Sequence, residues 1–482
     1  MFNYKIIINI LGILLLIEGM FIGISALVDY LYNDGACQEI ALSSIITIVF
    51  GGLMWFFSKN ANKNIDKKEG YIIVTTGWIL FSIFGSLPFY LSGAIPSFTD
   101  SFFETISGFT TTGASILNDI ESMPHGLLFW RSLTQWLGGM GIIVLSVAVL
   151  PLLGIGGMQL FVAEVPGLKP DKLHPRIKET AKRLWIIYVA FTFTEMILLL
   201  FGGMSLFDAV NHSLTTMATG GYSTKQASIA YWESDYIHWV ITIFMFIAGV
   251  NFTLSYFALK LNFKKVYQNE EFRYYSGIVL FFVILFAVVL FFNSNLSLSQ
   301  SFRDSAFQVV SIITTTGFAT VDYLQWIPFL VFLMFVFMFF GGSSGSTGGG
   351  IKIIRILLLM KNSMLELKRL IHPNAVIPVR FNHKAISPDI ISNILAFIVF
   401  YVLIFVFGSV FMSALGLDFQ SAIGSVIASL GNIGPGIGSV GPAENFSHIP
   451  DIGKWFLSFL MLLGRLEIFT VLVIISPAFW RK

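Results

Sequence analysis

Long apolar runs alternate with short polar segments along almost the whole chain. A helix needs about 20 apolar residues to cross the roughly 30 Å hydrocarbon layer of a membrane, and many of the runs approach that length. The pattern predicts ten candidate spans, at about 6–28, 41–57, 71–95, 127–150, 184–206, 237–259, 275–294, 327–360, 389–414 and 455–478. We therefore expect an all-α integral membrane protein.

Four short polar motifs, each containing glycine, recur between these spans. "TTTG" stands at 110–113 and again at 314–317, 204 residues later, with "TGGY" at 219–222 and "NIGP" at 432–435. Their anchoring glycines are separated by 108, 96 and 117 residues: Gly113, Gly221, Gly317 and Gly434. Recurrence at a large period indicates an internal repeat.

Each motif is preceded by the pattern of a short capped helix. Thirteen residues before each glycine stands a residue favoured at helix N-caps: Asp100, Asp208, Asp304 and Ser421. Nine residues before each glycine stands a polar residue: Glu104, His212, Gln308 and Ser425. The stretch between cap and glycine is too short to span a bilayer, so we predict a re-entrant helix followed by a non-helical loop.

Four units of span, short helix, polar loop and span use eight of the ten predicted spans. The predicted division is a two-helix N-terminal appendage at 1–69, unit 1 at 70–163, unit 2 at 164–262, unit 3 at 263–384 and unit 4 at 385–482. Non-helical backbone at membrane depth must be buried in protein or line a wet cavity, so four such loops predict one shared pore. Helix C-termini and loop carbonyls would there replace the hydration shell of a cation. The alternative is that Gly and Thr only mark tight packing between helices.

Composition agrees with a membrane protein, and the positions of the charges orient it. Charged residues make up 12% of the chain, where a soluble domain has about 25%. Of the 29 Lys and Arg residues, 24 lie near the termini or in four segments, at 59–70, 164–183, 260–273 and 352–384. The positive-inside rule predicts that both termini and these segments are cytoplasmic. With one cysteine, Cys37, the chain cannot form an internal disulfide.

The eighth predicted span contains the glycine-rich sequence "GGSSGSTGGG" at 341–350. Each glycine costs a helix about 1 kcal/mol relative to alanine, so the span is predicted to break here. Arg465 lies inside the last predicted span, where a charge is expensive and by default functional. We expect its partner on another unit, because Glu467 is two residues away and does not share its helix face.

Two short motifs match enzyme signatures without the context those signatures need. Residues 342–345 match GxSG, but an intramembrane serine needs a neighbouring base, and all seven histidines are expected in loops or at span ends. Residues 436–441 match GxGxxG outside any strand–turn–helix unit. We predict that the chain is not an enzyme, holds no organic cofactor and binds no nucleic acid.

Longer motifs surround the four polar loops: "SGFTTTGAS", "TTMATGGYST", "SIITTTGFATVDY" and "SLGNIGPGIG". Others lie outside them: "QWLGGMGIIVLSVAVLPLLGIGGMQL", "FGGSSGSTGGGIKIIR" and "GRLEIFTVLV". Together they resemble the TrkH/KtrB/HKT superfamily of potassium transporters, and the two additional N-terminal spans are most similar to its TrkH branch. The resemblance implies four pseudo-symmetric helix–pore-loop–helix units around one central pore, and a homodimer.

The same resemblance implies a selectivity filter that binds K⁺. Its residues would be Thr111, Thr112, Gly113, Thr219, Gly220, Gly221, Thr315, Thr316, Gly317, Asn432, Ile433 and Gly434. Family members with serine at the first filter glycine tend to pass sodium, so Gly113 favours potassium. Loops 1 and 4 carry Ala114 and Pro435 where loops 2 and 3 carry the aromatic residues Tyr222 and Phe318. The symmetry is therefore imperfect, and only weak to moderate selectivity is expected.

The resemblance further implies an intramembrane gate that occludes the pore. It would consist of Arg465 with Gly341, Gly342, Ser343, Ser344, Gly345, Ser346, Thr347, Gly348, Gly349 and Gly350. A hinge without a gating role is the alternative interpretation of that loop.

The activity implied is potassium uptake across the bacterial cytoplasmic (inner) membrane through a channel-like pore. A cytosolic TrkA-type nucleotide-binding subunit is the implied partner. Basic segments 164–183 and 352–384 are candidate surfaces for that subunit or for anionic membrane lipid. Two other hypotheses stay open: a cation-coupled transporter with alternating access, and a scaffold for a partner subunit.

Overall fold

The computed structural model describes residues 3–61, 67–141, 177–375 and 377–481. The first helices are α1 (Tyr4–Tyr32), α2 (Cys37–Ser58), α3 (Lys67–Gly85), α4 (Leu87–Leu91), α5 (Phe98–Phe109) and α6 (His125–Trp136), which continues into a π-helical turn at Leu137–Gly141. Unit 2 contains α7 (Ile177–Phe201), α8 (Leu206–Met217), α9 (Asp235–Ala248) and α10 (Phe252–Leu259). Unit 3 contains α11 (Phe263–Gln268), α12 (Glu270–Asn293), α13 (Leu298–Ile313), α14 (Pro328–Phe337) and α15 (Ile353–Ile371). After the strands β1 (Arg380–Phe381) and β2 (Lys384–Ala385), unit 4 contains α16 (Pro388–Ala414), α17 (Phe419–Leu430), α18 (Asp451–Arg465), α19 (Phe469–Ile475) and α20 (Pro477–Trp480).

The predicted all-α membrane class is confirmed. Six described helices are long and apolar enough to cross a membrane, or eight if each of two bent helix pairs forms one span. The predicted span at 127–150 begins as α6, and its residues beyond 141 lie outside the described ones, as do the boundary at 163/164 and most of the basic segment 164–183. Ten spans and the unit boundaries therefore stay predictions. The antiparallel pair β1–β2 is a small departure from an all-helical chain.

The last spans of units 2 and 4 are bent rather than continuous. Helices α9 and α10 meet at 112°, and α18 and α19 meet at 115°, so a bend lies inside each of the predicted spans 237–259 and 455–478. Each bend has a local cause. The side chain of Asn251 caps the start of α10, and Glu467 and Ile468 have positive φ angles of 56° and 58°.

The predicted break inside 327–360 is confirmed, because α14 ends and α15 begins on either side of a non-helical loop. A parallel bridge between Phe340 and Ile351 closes the neck of that loop, and the N–H of Gly341 donates to the carbonyl of Ile351 at 2.9 Å. In unit 1 the corresponding region is the π-helical turn after α6. All four units thus interrupt regular α-helix in their last span.

The four short helices α5, α8, α13 and α17 begin earlier than the sequence suggested. Their N-caps are Ser97, Ser205, Ser297 and Asp418, each accepting a hydrogen bond from a first-turn N–H group. The predicted caps Asp100, Asp208, Asp304 and Ser421 are therefore wrong. Ser97 with Asp100, and Ser205 with Asp208, have the spacing of a capping box, whose acidic member lies inside the first turn. An acidic side chain there also favours the positive end of the helix dipole.

The short helices occupy the interior, and long helices surround them. Helix α5 is buried without interruption from Ser101 to Phe109. Helices α2, α12 and α16 instead expose large apolar side chains, and Phe57, Phe292 and Phe407 are 78%, 78% and 66% exposed. Such a surface suits hydrocarbon and not water, so these helices form the lipid-facing layer.

Two glycines hold α1 and α2 in close contact. A Cβ atom on Gly12 would lie 2.7 Å from the backbone nitrogen of Trp55, and one on Gly51 would lie 2.8 Å from the carbonyl oxygen of Gly12. Nearby, the amide of Asn9 donates to the hydroxyl of Ser58 at 3.2 Å. Small residues allow this backbone approach, as in other membrane helix pairs.

We expect Gly51→Val to destabilise this pair, since the added methyl groups would push α1 away. Overpacking of this kind costs about 1–3 kcal/mol. The measurement is the melting temperature of the purified protein in detergent. Gly52→Val is the matched control, because a Cβ there meets only Leu16 at 3.9 Å. Equal melting temperatures for the two variants would contradict the close packing.

Candidate ion-conduction site

The loop after each short helix begins with the same hydrogen-bonded turn. The N–H groups of Thr112, Gly220, Thr316 and Ile433 each donate to the carbonyl five residues earlier, at 2.8–3.0 Å. One residue before them, the chain is in the left-handed region, with φ of 52°, 53°, 59° and 53° at Thr111, Thr219, Thr315 and Asn432. The pattern is a Schellman motif, which pairs the last carbonyls of a helix. Three of the four left-handed residues are β-branched, and such strain is typical of functional sites.

The predicted anchor glycines lie at one register in these turns. Gly113, Gly221, Gly317 and Gly434 all have positive φ, at 81°, 76°, 83° and 97°. Positive φ suits glycine because it has no Cβ. The structure therefore brings the twelve sequence-predicted filter residues into four equivalent conformations.

The four loops touch one another in a closed ring. A Cβ on Gly113 would lie 2.1 Å from the carbonyl oxygen of Gly220, and one on Gly221 would lie 2.0 Å from that of Thr316. A Cβ on Gly317 would lie 2.0 Å from the carbonyl oxygen of Ile433. Gly434 closes the ring, since its Cβ would lie 2.9 Å from the carbonyl oxygen of Thr112. Each glycine thus faces the residue that precedes the next unit's glycine, in the order 1, 2, 3, 4.

The ring has one shared mouth. A single cavity is lined by all four anchor glycines, together with residues such as Ser115, Lys225 and Glu444. On the side of the short helices, Thr111, Thr219, Thr315 and Asn432 have no exposed surface.

The polar residues nine positions before the glycines brace the chain that leaves the ring. Glu104 accepts hydrogen bonds from Ser115 and from the N–H of Ile116, both at 3.0 Å. In unit 2, His212 bonds the hydroxyl of Ser223 at 2.9 Å. Unit 3 follows the same plan, with Gln308 beside Thr320 and Val321 at 3.4 and 3.2 Å.

Unit 4 departs from this plan. The hydroxyl of Ser425 bonds within its own helix, to the carbonyl of Ala422 at 3.1 Å. Its place is taken by Ser421, whose hydroxyl accepts from the N–H of Ser439 at 2.8 Å. The repeat is therefore conserved in backbone conformation more closely than in side-chain contacts.

His212 corrects the expectation that all histidines lie in loops or at span ends. It lies in the middle of α8, with no exposed surface. Its ring contacts Ser223, not the serines of the GxSG motif. The Ser343 hydroxyl has no hydrogen-bond partner among the residues that the structure describes, so the geometry gives no support to a serine nucleophile at 342–345.

Sequence reasoning missed two residues of α6 that support the ring. Arg131 pairs with Glu104 at 2.6 Å, donates to the carbonyl of Ser223 at 2.9 Å and stacks 3.5 Å from the ring of Tyr222. Gln135 donates to the carbonyl of Gly220 at 2.7 Å and accepts from the N–H of Tyr222 at 3.1 Å. Arg131 is one of the five basic residues that lie outside the termini and the four predicted cytoplasmic segments, which is the signal that the sequence offers. No pattern in the neighbouring sequence marks Gln135 as a residue that supports the ring.

The glycine-rich loop 341–350 lies against the C-terminal ends of the short helices. The hydroxyl of Thr347 donates to the carbonyl of Met217, the last residue of α8, at 3.1 Å. The N–H of Gly349 donates to the hydroxyl of Thr315, just after α13, at 2.6 Å. A Cβ on Gly349 would lie 2.5 Å from the carbonyl oxygen of Gly431, just after α17. The loop therefore meets units 2, 3 and 4 directly beneath the ring.

Arg465 connects this loop to unit 1. Its guanidinium donates to the carbonyl of Thr347 at 2.8 Å, and to those of Gly138 and Gly139 at 2.5 and 2.7 Å. The expectation of partners on other units is confirmed. Glu467 pairs with Arg355 of α15. Through Arg465 the loop spans the inner side of the ring from unit 1 to unit 4.

Comparison with known proteins gives the family. A family model for TrkH, described as a cation transport protein, matches residues 36–482. The chain belongs to the TrkH family. It is 43% identical over 484 residues to the Trk system potassium uptake protein TrkH of Escherichia coli K12, with 100% of both chains covered. It is 34% identical over 454 residues to TrkG of that organism, covering 94% of this chain and 93% of TrkG. The crystal structure of the potassium transporter TrkH from Vibrio parahaemolyticus matches with a TM-score of 0.90 and 39% identity, over 100% of both chains.

We expect Arg465→Gln to lower the melting temperature of this TrkH-family chain. Three carbonyl oxygens would lose a charged donor, and hydrogen bonds to charged groups contribute about 1.5–3 kcal/mol each. Thermal unfolding in detergent is the measurement. Lys384→Gln is the control, since it removes the same charge from an exposed hairpin. An unchanged melting temperature for Arg465→Gln would mean that those carbonyls do not depend on Arg465.

Proposed function

We propose that this chain takes up K⁺ through one channel-like pore with weak to moderate selectivity, formed by the four loops together. The observation that carries the proposal is the closed ring of four equivalent turns, each anchored by a positive-φ glycine. The names of the relatives, which are potassium uptake proteins of the Trk system, support K⁺ as the transported ion. The transported K⁺ is the substrate, and no organic cofactor or enzyme activity is proposed.

The electrostatics of the ring favour a cation. Four short helices direct their C-terminal ends toward it, and each such end carries about half a negative charge. Backbone carbonyls and threonine hydroxyls offer the oxygen ligands that replace water around K⁺. We assign K⁺ binding to Thr111, Thr112 and Gly113 and the equivalent residues of the other units. Unit 4 carries Asn432 and Ile433 in place of threonines, which supports moderate rather than strict selectivity.

The loop 341–350 is proposed as the gate, with Arg465 holding it in place. Its contacts with the ends of three short helices support a position across the ion path. Its six glycines allow it to move, since glycine imposes little conformational preference. A hinge without gating would not require the hydrogen bonds from Arg465 to the loop and to unit 1 together.

Alternating access is the second candidate, because bent helices at midspan are typical of such transporters. The bends of 112° and 115° favour it. The ring favours the pore, because each of the four anchor glycines contacts the next unit. Rocking one unit would separate two of these contacts.

The proposed setting is the bacterial inner membrane, with both chain ends in the cytoplasm. A homodimer and a cytosolic TrkA-type nucleotide-binding subunit are the proposed partners. The basic segment 352–384 includes the exposed end of α15 and supports a cytoplasmic contact with that subunit or with anionic lipid.

Rubidium uptake into liposomes that hold the purified chain tests the pore. Uptake should saturate, and K⁺ should compete more strongly than Na⁺. Gly317→Ser should weaken that preference, because its Cβ would lie 2.0 Å from the Ile433 carbonyl oxygen. A change of about 1.4 kcal/mol in the free-energy difference between K⁺ and Na⁺ would reduce discrimination tenfold.

Gly203→Ser is the matched control, with a positive φ of 91° but nothing within 4 Å of its Cβ. Unchanged discrimination in Gly317→Ser would remove Gly317 from the filter. A wild-type chain that takes up no rubidium, with or without the nucleotide-binding subunit, would refute the pore.

Deleting part of 344–348, for example 345–347, should raise rubidium uptake by the chain alone, since the occluding segment is shortened. A three-residue deletion at the exposed turn 373–375 controls for the loss of residues. Uptake that falls or stays level in the first deletion, in a protein that still elutes as a single species, would exclude an occluding gate.

A further inference from the structure

One hydrogen bond joins the proposed gate directly to the proposed filter. The backbone N–H of Gly349 donates to the side-chain hydroxyl of Thr315 at 2.6 Å. Thr315 has no exposed surface and Gly349 is buried as well. The bond therefore lies away from water, where a lost partner is not replaced by solvent.

Among the described residues, the equivalent side chains of the other units form no hydrogen bond with the loop. The hydroxyl of Thr111 has no hydrogen-bond partner among the described residues. The hydroxyl of Thr219 donates to the carbonyl of Ala218 at 2.6 Å. In unit 4, the amide of Asn432 donates to the Thr112 hydroxyl and to the Met461 carbonyl, both at 2.9 Å. Four residues with one backbone conformation thus differ in their side-chain hydrogen bonding, and Thr315 is the one bonded to the loop.

Gly349 is packed tightly against unit 4. A Cβ at this residue would lie 2.5 Å from the carbonyl oxygen of Gly431 and 2.8 Å from the Cβ of Asn432. The loop is therefore wedged at the seam between units 3 and 4. If Thr315 lost its oxygen, the Gly349 N–H would stay buried and unpaired as long as the loop stayed in place.

We infer that Thr315 holds the gate closed in addition to lining the filter. This inference rests on the proposed function of loop 341–350. In the closed state, a lone pair of the Thr315 hydroxyl is used by the loop. When the loop moves away, that lone pair becomes free at the inner end of the filter, where it can bind a cation. Ion occupancy at that end and opening of the gate are then reciprocally linked.

The test compares Thr315→Val with Thr111→Val. Valine has nearly the shape of threonine but no hydroxyl, so both variants remove one oxygen from equivalent left-handed turns. Only Thr315→Val also removes the acceptor of the Gly349 N–H. We expect the chain alone to take up rubidium about five times faster as Thr315→Val than as Thr111→Val. A factor of about five is the size expected for the loss of one hydrogen bond.

The same pair of variants in the chain lacking 345–347 isolates the gate. In that background the two valine variants should take up rubidium at nearly equal rates. The loop that Thr315 holds is shortened there, so each substitution changes uptake only through the loss of one filter oxygen. Serine keeps the hydroxyl, so Thr315→Ser and Thr111→Ser should give a ratio near unity in both backgrounds. If either valine variant fails to elute as a folded species, Thr315→Ala and Thr111→Ala make the same comparison.

Equal valine ratios with and without residues 345–347 would overturn the role of Thr315 while leaving the gate intact. Failure of the deletion itself to raise uptake would instead overturn the proposed gate, and with it this inference. The two failures are therefore distinguished within one set of uptake measurements.

Discussion

Backbone polar groups inside a membrane cannot rely on water, and the central ring depends on this constraint. At each of four places the chain leaves a short helix and must pair that helix's last carbonyls. It does so with the same left-handed turn, in which the N–H of the third residue after the helix bonds back five residues. The turn requires positive φ at a threonine or asparagine and again at a glycine two residues later. Strain is accepted at the three threonines, Thr111, Thr219 and Thr315, and the neighbouring loops hold them in place.

The four turns approach one another so closely that the ring is a single packed unit. A side chain at any anchor glycine would collide with a carbonyl oxygen of the next unit. Each unit therefore determines the position of its neighbour's carbonyl, and a distortion in one turn passes to the next. This is why a ring built from four unequal sequences keeps nearly equal backbone geometry.

Asymmetry enters through the contacts around the ring. Arg131 and Gln135 of unit 1 support the loop of unit 2, and no described residue of the other units repeats the buried Arg131–Glu104 pair. The loop 341–350 belongs to unit 3 alone and reaches all four units through the Thr347 hydroxyl, its own backbone and Arg465. A symmetric ring can bind an ion, whereas a single asymmetric segment can block or release it.

The membrane class, the four repeated loops and the break at 341–350 could be read from the amino-acid sequence, because hydrophobic length and glycine content act locally. The starts of the short helices were predicted wrongly from local sequence. Ser97 and Asp100, for example, both favour a helix start, and the choice between them depends on the preceding chain. The ring contacts and the partners of Arg131 and Arg465 were decided by tertiary structure. Arg465 bonds carbonyls 118 and 327 residues away. No local pattern specifies such pairs, because they exist only after four separate turns have met around one axis.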